Sequence, residues 1–284
     1  MPYRYFIQLC YDGTGYCGWQ SQPNALTVQA VIENALEVVS GNPSPVTGCG
    51  RTDTGVSASA FYAHFDAQEP IQSTHQLAYK LNSFLPPDVA VQRIFPVSPG
   101  SHARFSAISR EYKYQVITRK DPFLVSAAYQ LPFEPDVERM NKAAAIVQEY
   151  HDFQCFSKSR TGVKTYLCSI SEAKWEQKDH KLLFTIRSDR FLRNMVRAIV
   201  GTLLDVGKGR KTPDDLHAIL QSRNRSRAGY SVPAKGLTLS DVVYPSDIFT
   251  ENPVWFSRDE TIPTDGEVRN PFPDSEPGDL TPVE

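Results

Sequence analysis

Gly48-Cys49-Gly50-Arg51-Thr52-Asp53-Thr54-Gly55-Val56 is the most unusual stretch of this 284-residue chain. Three glycines within eight residues allow positive φ angles and let a ligand approach the backbone closely. Between the glycines stand one cation (Arg51), one hydroxyl (Thr52) and one carboxylate (Asp53). On these residues alone, the stretch is either a functional loop or a plain turn that Asp53 caps while Arg51 is solvated.

The segments on both sides of this loop carry the periodicities of strands and helices in mixed order. Alternating apolar residues predict a strand over residues 3–10. Apolar residues at helical spacing predict a helix over residues 27–39, with Thr27 as its N-cap. After the loop, the pattern predicts a strand over 58–65, a helix over 75–85 and a strand over 89–97.

The second half of the chain repeats this mixture. The other predicted strands cover 112–118, 166–176, 181–187 and 237–244, and the other predicted helices cover 136–149, 190–206 and 213–220. Because strands and helices do not alternate regularly, we expect an α+β fold with a mostly antiparallel sheet rather than a doubly wound fold. The expected organisation is one subdomain over residues 1–103, a second over 104–245, and a disordered or loosely docked tail over 246–284.

The predicted helix over residues 190–206 has a polar stripe opposite a broad apolar face. At about 100° per residue, the stripe contains Arg190, Arg193, Asn194, Arg197 and Gly201. Gly201 leaves a notch where a loop or a ligand can come close. Such a stripe is either a solvated basic face or a surface that binds phosphate.

The distribution of charge along the chain is more informative than its sum. The formal net charge of −2 argues, taken whole, against a nucleic-acid partner. Residues 246–284, however, contain ten Asp or Glu and two Arg, whereas residues 1–245 contain 28 Lys or Arg and 22 Asp or Glu. Between residues 158 and 235 there are 17 cations and 7 carboxylates. The body is therefore basic, and its second half is the candidate for a phosphate-binding face.

The patterns of cysteine, histidine and apolar residues exclude several classes of protein. The five cysteines are odd in number and contain no C-x-x-C pair, and the six histidines are scattered singly. These spacings fit neither a disulfide framework nor a zinc site. No apolar run is long enough to span a membrane, and the N-terminus lacks the apolar core of a signal peptide. We expect a reduced, metal-free cytoplasmic protein that does not bind a membrane.

Several blocks of sequence resemble, in the same order, those of the TruA family of tRNA pseudouridine synthases. The central block is G-R-T-D-x-G-V at residues 50–56, which is similar to the active-site signature of the family. The other blocks are Y-D-G-T-G-Y-C-G-W-Q at 11–20, L-N-S-F-L-P at 81–86, H-A-R-F-S-A at 102–107, R-E-Y-K-Y at 110–114, F-L-R-N-M-V-R at 191–197 and G-L-T-L at 236–239. A lone G-R-T-D is a weak signal, but the ordered set is specific and spans essentially residues 3–245.

The resemblance implies isomerisation of uridine to pseudouridine at positions 38 to 40, in the anticodon stem-loop of tRNA. The bond between uracil N1 and ribose C1′ breaks, the base turns, and a bond forms between C5 and C1′. No cofactor is implied, because product and substrate contain the same atoms. The resemblance also implies the pseudouridine-synthase fold, an RNA-binding cleft between two subdomains, and a homodimer across which the RNA passes.

The resemblance assigns roles to single residues by their place in these blocks. Asp53 matches the catalytic aspartate, the expected nucleophile; attack on ribose C1′, attack on uracil C6 and removal of a ribose proton all stay open. Tyr112 matches the tyrosine that stacks on the target uracil, and its phenol is a candidate base. Arg197 matches the arginine that forms a salt bridge to the aspartate. Leu237 matches the apolar residue that lines the base pocket. Arg51 is expected to hold phosphate or to fill the space left by the flipped base, and Arg190 and Arg193 are expected to reach RNA phosphates. Together with Tyr112, these are the residues expected to contact the substrate.

Some alternatives stay open at this point. On the residues alone, Tyr112 and Leu237 are as well explained as core side chains. Ser57 stands where the family usually has histidine, and we expect activity to survive this departure because Asp53, Tyr112 and Arg197 are present. A non-catalytic RNA-binding protein with the same fold is the main rival, and the presence of Asp53 counts against it. A glycoside or nucleoside hydrolase is a weaker rival, since no second carboxylate stands near Asp53.

Overall fold

A computed structural model of the protein describes residues 2–158 and 162–250. The strands in this part of the chain are β1 (Tyr3–Tyr11), β2 (Thr47–Gly48), β3 (Ser57–Ala67), β4 (Val89–Pro96), β5 (Ser109–Ile117), β6 (Tyr129–Gln130), β7 (Ile170–Lys178), β8 (Lys181–Ser188) and β9 (Leu237–Val243). The α-helices are α1 (Val28–Ser40), α2 (Thr74–Phe84), α3 (Val137–Val147), α4 (Met195–Gly207) and α5 (Asp215–Ser222). The predicted α+β class is therefore confirmed.

Most predicted elements have bounds within four residues of those observed. Thr27 is the N-cap of α1, and its hydroxyl accepts a hydrogen bond from the backbone N–H of Ala30. The exception is the helix predicted over residues 190–206. It begins only at Met195, because Asn194 takes a left-handed conformation with φ of 67°. The prediction that Arg190, Arg193 and Asn194 lie on this helix is therefore wrong.

One continuous sheet runs through both halves of the chain, in the order β4-β1-β3-β9-β5-β8-β7. Neighbouring strands in this order are antiparallel, except that β3 and β9 are parallel. Two residue pairs form this junction, Ser57 with Thr238 and Ala58 with Leu239. Because β3 starts directly after the glycine-rich loop, the junction places that loop where the two halves of the sheet meet.

Two hydrophobic cores lie along the sheet, and each takes side chains from the other half of the sequence. The first-half core includes Leu239 and Val242 of β9, whereas the second-half core includes Val56 from the glycine-rich loop. Tyr112 of β5 packs against both cores. Each core therefore takes side chains from both sides of the predicted boundary between residues 103 and 104, which stays a prediction.

The first residues of the predicted tail belong to this folded part. A short 3-10 turn covers Ser246–Ile248, the side chain of Ile248 is buried in the first-half core, and Phe249 forms a β-bridge with Val97. The remainder of the predicted tail, residues 251–284, lies outside the described residues.

Several features predicted from residue spacing can be compared with the described part of the chain. All five cysteines, which lie within it, are free thiols. No helix of residues 2–158 and 162–250 combines the length and apolar character needed to cross a bilayer. In the same residues, no three His, Cys, Asp or Glu side chains gather closely enough to hold a metal ion.

Candidate active site

The glycine-rich loop connects β2 to β3 and is held in place by the end of β1 and the segment that follows it. The hydroxyl of Tyr11 and Oγ1 of Thr52 lie 2.9 Å apart, and the backbone N–H of Trp19 donates to the carbonyl of Thr52 at 3.3 Å. A turn closes the loop, since the N–H of Val56 donates to the carbonyl of Asp53 at 3.1 Å. These bonds bury Thr52 and leave the carboxylate of its neighbour, Asp53, partly exposed.

Gly18 lies in the block at residues 11–20, and its conformation explains why a glycine is needed there. Its φ of 87° lies in the left-handed region, and a Cβ at this position would stand 2.5 Å from the carbonyl oxygen of Thr52. A side chain would push the loop away from the segment that supports it. The absence of a side chain at Gly18 therefore helps to fix the position of Asp53.

Two arginines from the start of α4 lie beside the carboxylate of Asp53. Nε of Arg193 is 3.6 Å from Oδ1, and Nη1 of Arg197 is 3.8 Å from Oδ2. The left-handed Asn194 separates the two arginines, so that one precedes the helix while the other lies in its first turn. As a result, the guanidinium groups approach different oxygens of the same carboxylate.

Arg197 is fixed from behind by the segment that leads to β9. Its Nε donates to the carbonyl of Val232 at 2.7 Å, and the N–H of Val232 donates back to the carbonyl of Arg197 at 3.2 Å. The notch predicted at Gly201 is occupied by this same segment, because a Cβ there would stand 1.8 Å from the carbonyl oxygen of Tyr230. Arg197 is therefore less exposed than Arg193 and better held.

The carboxylate opens into a cleft of about 520 Å³ whose other charged side chains are cations. The cleft is lined by Asp53, Thr54, Lys158, Arg193, Asn194, Arg197 and Arg225. Arg225 is held by its own loop, since Nη1 donates to the carbonyl of Gly229 and Nη2 to the hydroxyl of Ser231, both at 2.9 Å. A cleft of this charge and openness is suited to a phosphate-bearing polymer.

Tyr112 lies in β5, near the carboxylate but deeper in the molecule. Its ring meets the ring of Phe191 edge to face, with centroids 5.2 Å apart. Burial, reinforced by the neighbouring Cys49 and Asp53, raises the pKa of the Tyr112 phenol. The phenol is therefore protonated at neutral pH, which argues against its use as a base in the phenolate form.

The other residues assigned to the substrate do not line the cleft. Nε of Arg51 donates to Oε1 of Gln20 at 3.1 Å, which turns this side chain toward the supporting segment. The backbone N–H of Arg190 donates to the carboxylate of Asp189 at 2.7 Å, in the turn between β8 and α4. Leu237 is buried at the start of β9 and belongs to the second-half core.

Ser57, at the place of the family's usual histidine, fastens the loop to the segment after β1. Its Oγ accepts a hydrogen bond from the backbone N–H of Gly13 at 3.0 Å and donates to Oδ1 of Asp12 at 3.4 Å. Ser57 therefore has a structural use, and the survival of activity without a histidine here stays a prediction.

Sequence reasoning did not single out Lys158 or Arg225 as site residues, and it placed Asn194 only on the polar stripe of a predicted helix. Arg225 belongs to a dense run of arginines at 223, 225 and 227, so charge counting identified its neighbourhood but not its position. Lys158 reaches the cleft because its backbone N–H donates to the carbonyl of Arg193 at 3.1 Å, a contact between distant residues that no local pattern predicts.

Comparison with known proteins identifies the family of the chain. Residues 147–245, which contain β7, β8, α4, α5 and β9, match a family model described as tRNA pseudouridine synthase. The matched segment supplies Arg193 and Arg197. Together, this fold and this site define a protein of the pseudouridine synthase class.

Relatives are similar over nearly their whole length. The tRNA pseudouridine synthase A of Parabacteroides distasonis is 52% identical over 246 residues, covering 87% of this chain and 98% of that protein. The enzyme of the same name from Bacteroides thetaiotaomicron is 48% identical over 267 residues, covering 93% and 99%. That of Clostridium acetobutylicum is 37% identical over 240 residues, covering 84% and 98%. The chain belongs to the tRNA pseudouridine synthase A family.

Proposed function

We propose that the protein isomerises uridine to pseudouridine at positions 38 to 40, in the anticodon stem-loop of tRNA. The observation that carries the proposal is the carboxylate of Asp53, which lies in an open cleft beside Arg193 and Arg197. Relatives named tRNA pseudouridine synthase A support tRNA as the substrate. A polyanion fits this cleft better than a small neutral substrate does.

Asp53 supplies the reactive carboxylate. The N1–C1′ bond breaks and a C5–C1′ bond forms; the proton that leaves C5 is balanced by the proton that N1 takes up. Asp53 acts as nucleophile at ribose C1′ or at uracil C6, or removes a ribose proton. Each of these roles requires a flipped nucleotide within reach of a charged carboxylate. Arg197, held by Val232, orients that carboxylate.

Tyr112 and Leu237 form the wall against which the target base rests in this proposal. Tyr112 pairs with Leu239 of β9, and Leu237 is opposite Tyr114 on the same two strands. Stacking requires the ring of Tyr112 and not its ionised phenol, so a raised phenol pKa is compatible with this role. Arg51, Arg190 and Arg193 contact phosphates of the RNA.

The protein acts as a cytoplasmic homodimer in this proposal, and the RNA crosses from one subunit to the other. A dimer would combine the basic surface of two chains. Its mass in solution, measured by light scattering with and without tRNA, tests this part. A monomer at the concentrations used for catalysis would contradict it.

The reaction is tested by tritium release from tRNA that carries [5-³H]uridine. We expect release by the wild type from tRNAs with a single uridine at position 38, 39 or 40, and none from a tRNA lacking all three. Asp53→Ala should bind tRNA and release nothing. Asp179→Asn is the matched control, because Asp179 lies in the β7–β8 turn with φ of 56°, a conformation that Asn accepts.

The outcomes distinguish an enzyme from a binding protein and locate the nucleophile. Binding of tRNA without release by the wild type would contradict the isomerase and favour a non-catalytic RNA-binding protein. Release by both the wild type and Asp53→Ala would leave the reaction in place and move the nucleophile to another residue.

A further inference from the structure

Phe105 is a large aromatic side chain that the fold leaves in solvent. It lies in the loop between β4 and β5, and 75% of its surface is exposed. The guanidinium carbon of Arg104 is 5.5 Å from the centroid of its ring, and the ring of His102 is 4.4 Å away on centroids. Neither the cleft of Asp53 nor either hydrophobic core includes Phe105.

The loop that carries Phe105 is built rigidly. Nδ1 of His102 accepts hydrogen bonds from the backbone N–H groups of Arg104 at 3.1 Å and Phe105 at 3.3 Å. The N–H of Ser106 donates to the carbonyl of His102 at 2.9 Å, and the Oγ of Ser106 accepts the N–H of His102 at 3.0 Å. The N–H of Ala103 donates to Nδ1 of the buried His64 at 3.1 Å. Phe105 is therefore held outward by its own backbone.

The guanidinium group of Arg104 lies against this exposed ring, and Arg51, Arg110 and Arg190 are close enough to Arg104 to act on its charge. Loss of water around Arg104, and then repulsion from Arg51, Arg110 and Arg190, lower the pKa of the Arg104 guanidinium. Like charges held this close repel one another, and an anion that binds among them relieves the repulsion. An aromatic face among arginines is the combination with which proteins bind unstacked nucleotides.

Arg110 joins this loop to the catalytic loop. Its Nη1 donates to the carbonyls of Asp189 at 2.8 Å and Ala107 at 3.2 Å. Its Nη2 donates to the carbonyls of Arg104 and Cys49. One guanidinium therefore ties the Phe105 loop, the glycine-rich loop and the turn before α4 together, and Cys49 stands four positions before the reactive carboxylate in the sequence.

We propose that Phe105, with Arg51, Arg104 and Arg190, forms a subsite that binds a nucleotide of the tRNA next to the target uridine. The base stacks on the ring of Phe105, and the adjoining phosphates contact the three guanidinium groups. This subsite rests on the proposed function for its substrate. It differs from the cleft of Asp53 in holding a base that does not react.

The test compares Phe105→Ala with the wild type in steady-state tritium release and in equilibrium binding of the same tRNA. Loss of one base stack should raise KM and the dissociation constant by roughly tenfold, while kcat stays within about threefold. Phe105→Trp should restore both constants, because any large aromatic face supports stacking. Phe123→Ala is the matched control: Phe123 is 93% exposed and lies in a different loop, and its loss should change neither constant.

The arginines are tested by the salt dependence of binding. Arg104→Gln and Arg190→Gln should each reduce the slope of log Kd against log salt by about 0.7, the value expected for one phosphate contact to a single strand. Unchanged slopes, or Phe105→Ala with unchanged binding, would overturn the subsite.

Two further outcomes concern the assembly of the protein and its reaction. If Phe105→Ala changes the mass of the protein in solution but not its affinity for tRNA, the ring contacts another protein chain and the proposal is overturned. If the wild type binds tRNA without releasing tritium, and Phe105→Ala still weakens that binding, the subsite holds while the proposed reaction fails.

Discussion

Two basic clefts in this protein each contain one carboxylate, and the two carboxylates differ in the hydrogen bonds that they accept. The first cleft, of about 520 Å³, contains Asp53. The second, of about 420 Å³, contains Asp215 and is lined by Arg210, Lys211, Asp215, Ala218, Ile219, Ser226 and Arg227. The 3-10 turn at residues 225–227 separates them, since Arg225 faces the first and Ser226 and Arg227 face the second.

The carboxylates differ in their hydrogen bonds. Oδ2 of Asp215 accepts the backbone N–H of Thr212 at 2.7 Å and its hydroxyl at 3.0 Å, and the backbone bond is the main reason that the pKa of Asp215 is lowered. Asp53 has two guanidinium groups beyond hydrogen-bond distance, at 3.6 and 3.8 Å. The cationic side chains make both clefts candidates for binding phosphate. Of the two carboxylates, Asp53 is the one that a substrate can reach, because Asp215 is already hydrogen-bonded to Thr212.

The largest effect that separates the clefts should come from Arg197→Met. Removing the guanidinium that orients Asp53 should lower kcat by roughly 10²- to 10³-fold, while tRNA binding stays nearly unchanged. Arg210→Met in the second cleft is the matched control, because Arg210 lies 3.7 Å from Asp205, a similar ion pair outside the reaction. Equal losses of kcat in the two variants would remove the orienting role of Arg197.

Gly201→Ala should disturb the segment that follows the 3-10 turn at residues 225–227 and holds Arg197. A Cβ at position 201 would meet the carbonyl oxygen of Tyr230 at 1.8 Å, so either α4 or this segment must shift. We expect a loss of roughly 2 kcal/mol in the free energy of unfolding, after the small gain from the better helix former. Urea denaturation measures it, and Gly100→Ala, which has open space for a Cβ, is the control. Equal stability of both variants would show that the contact is readily relaxed.

Acid should loosen the segment that His64 holds at Ala103 before it affects the second cleft. Burial, and then repulsion from Arg4 and His102, lower the pKa of His64 to about 4. The unfolded chain takes up that proton first, so the contribution of neutral His64 to stability is lost as pH falls from about 6.5 toward 4. The pKa of Asp215 is lowered too, so its contribution persists until the pH falls below its usual value of 3.8.

Urea midpoints at pH 7 and pH 4.5 measure this difference. The wild type should lose about 2 kcal/mol of unfolding free energy between them through His64. His64→Asn should lose less, because its amide oxygen can accept the N–H of Ala103 without titrating. The same loss in both proteins would assign the acid sensitivity to another group.

The smallest effect should come from the cations of the second cleft. Replacing Lys211 and Arg227 together by Gln should weaken tRNA binding by about tenfold at low salt and reduce the salt slope by about 1.5. The value of kcat should not change, since neither side chain lines the cleft of Asp53. Unchanged binding would show that RNA does not reach this cleft, whereas a fall in kcat would show that the two clefts act as one.

Local patterns identified much of the fold and the centre of the site. The N-cap at Thr27 and most element bounds follow from the spacing of apolar and polar side chains over one helical turn or one strand pleat. That spacing depends only on residues that are neighbours in the sequence. Asp53 was identified by its glycine-rich surroundings and by resemblance. The late start of α4 was missed, because the residues before Met195 carry helical spacing while the left-handed Asn194 prevents a helix there.

The α+β class, the basic body, the loop of Asp53 and the family can all be inferred from the amino-acid sequence. Three further features are visible only in the folded chain: Arg193 as well as Arg197 lies beside Asp53, Arg110 joins three loops, and Phe105 stays in solvent. These features depend on contacts between residues that are far apart along the chain. Hydrogen bonds such as that from Arg110 to Cys49 join residues 61 positions apart, and no periodicity of neighbouring residues records which distant carbonyl a guanidinium will meet.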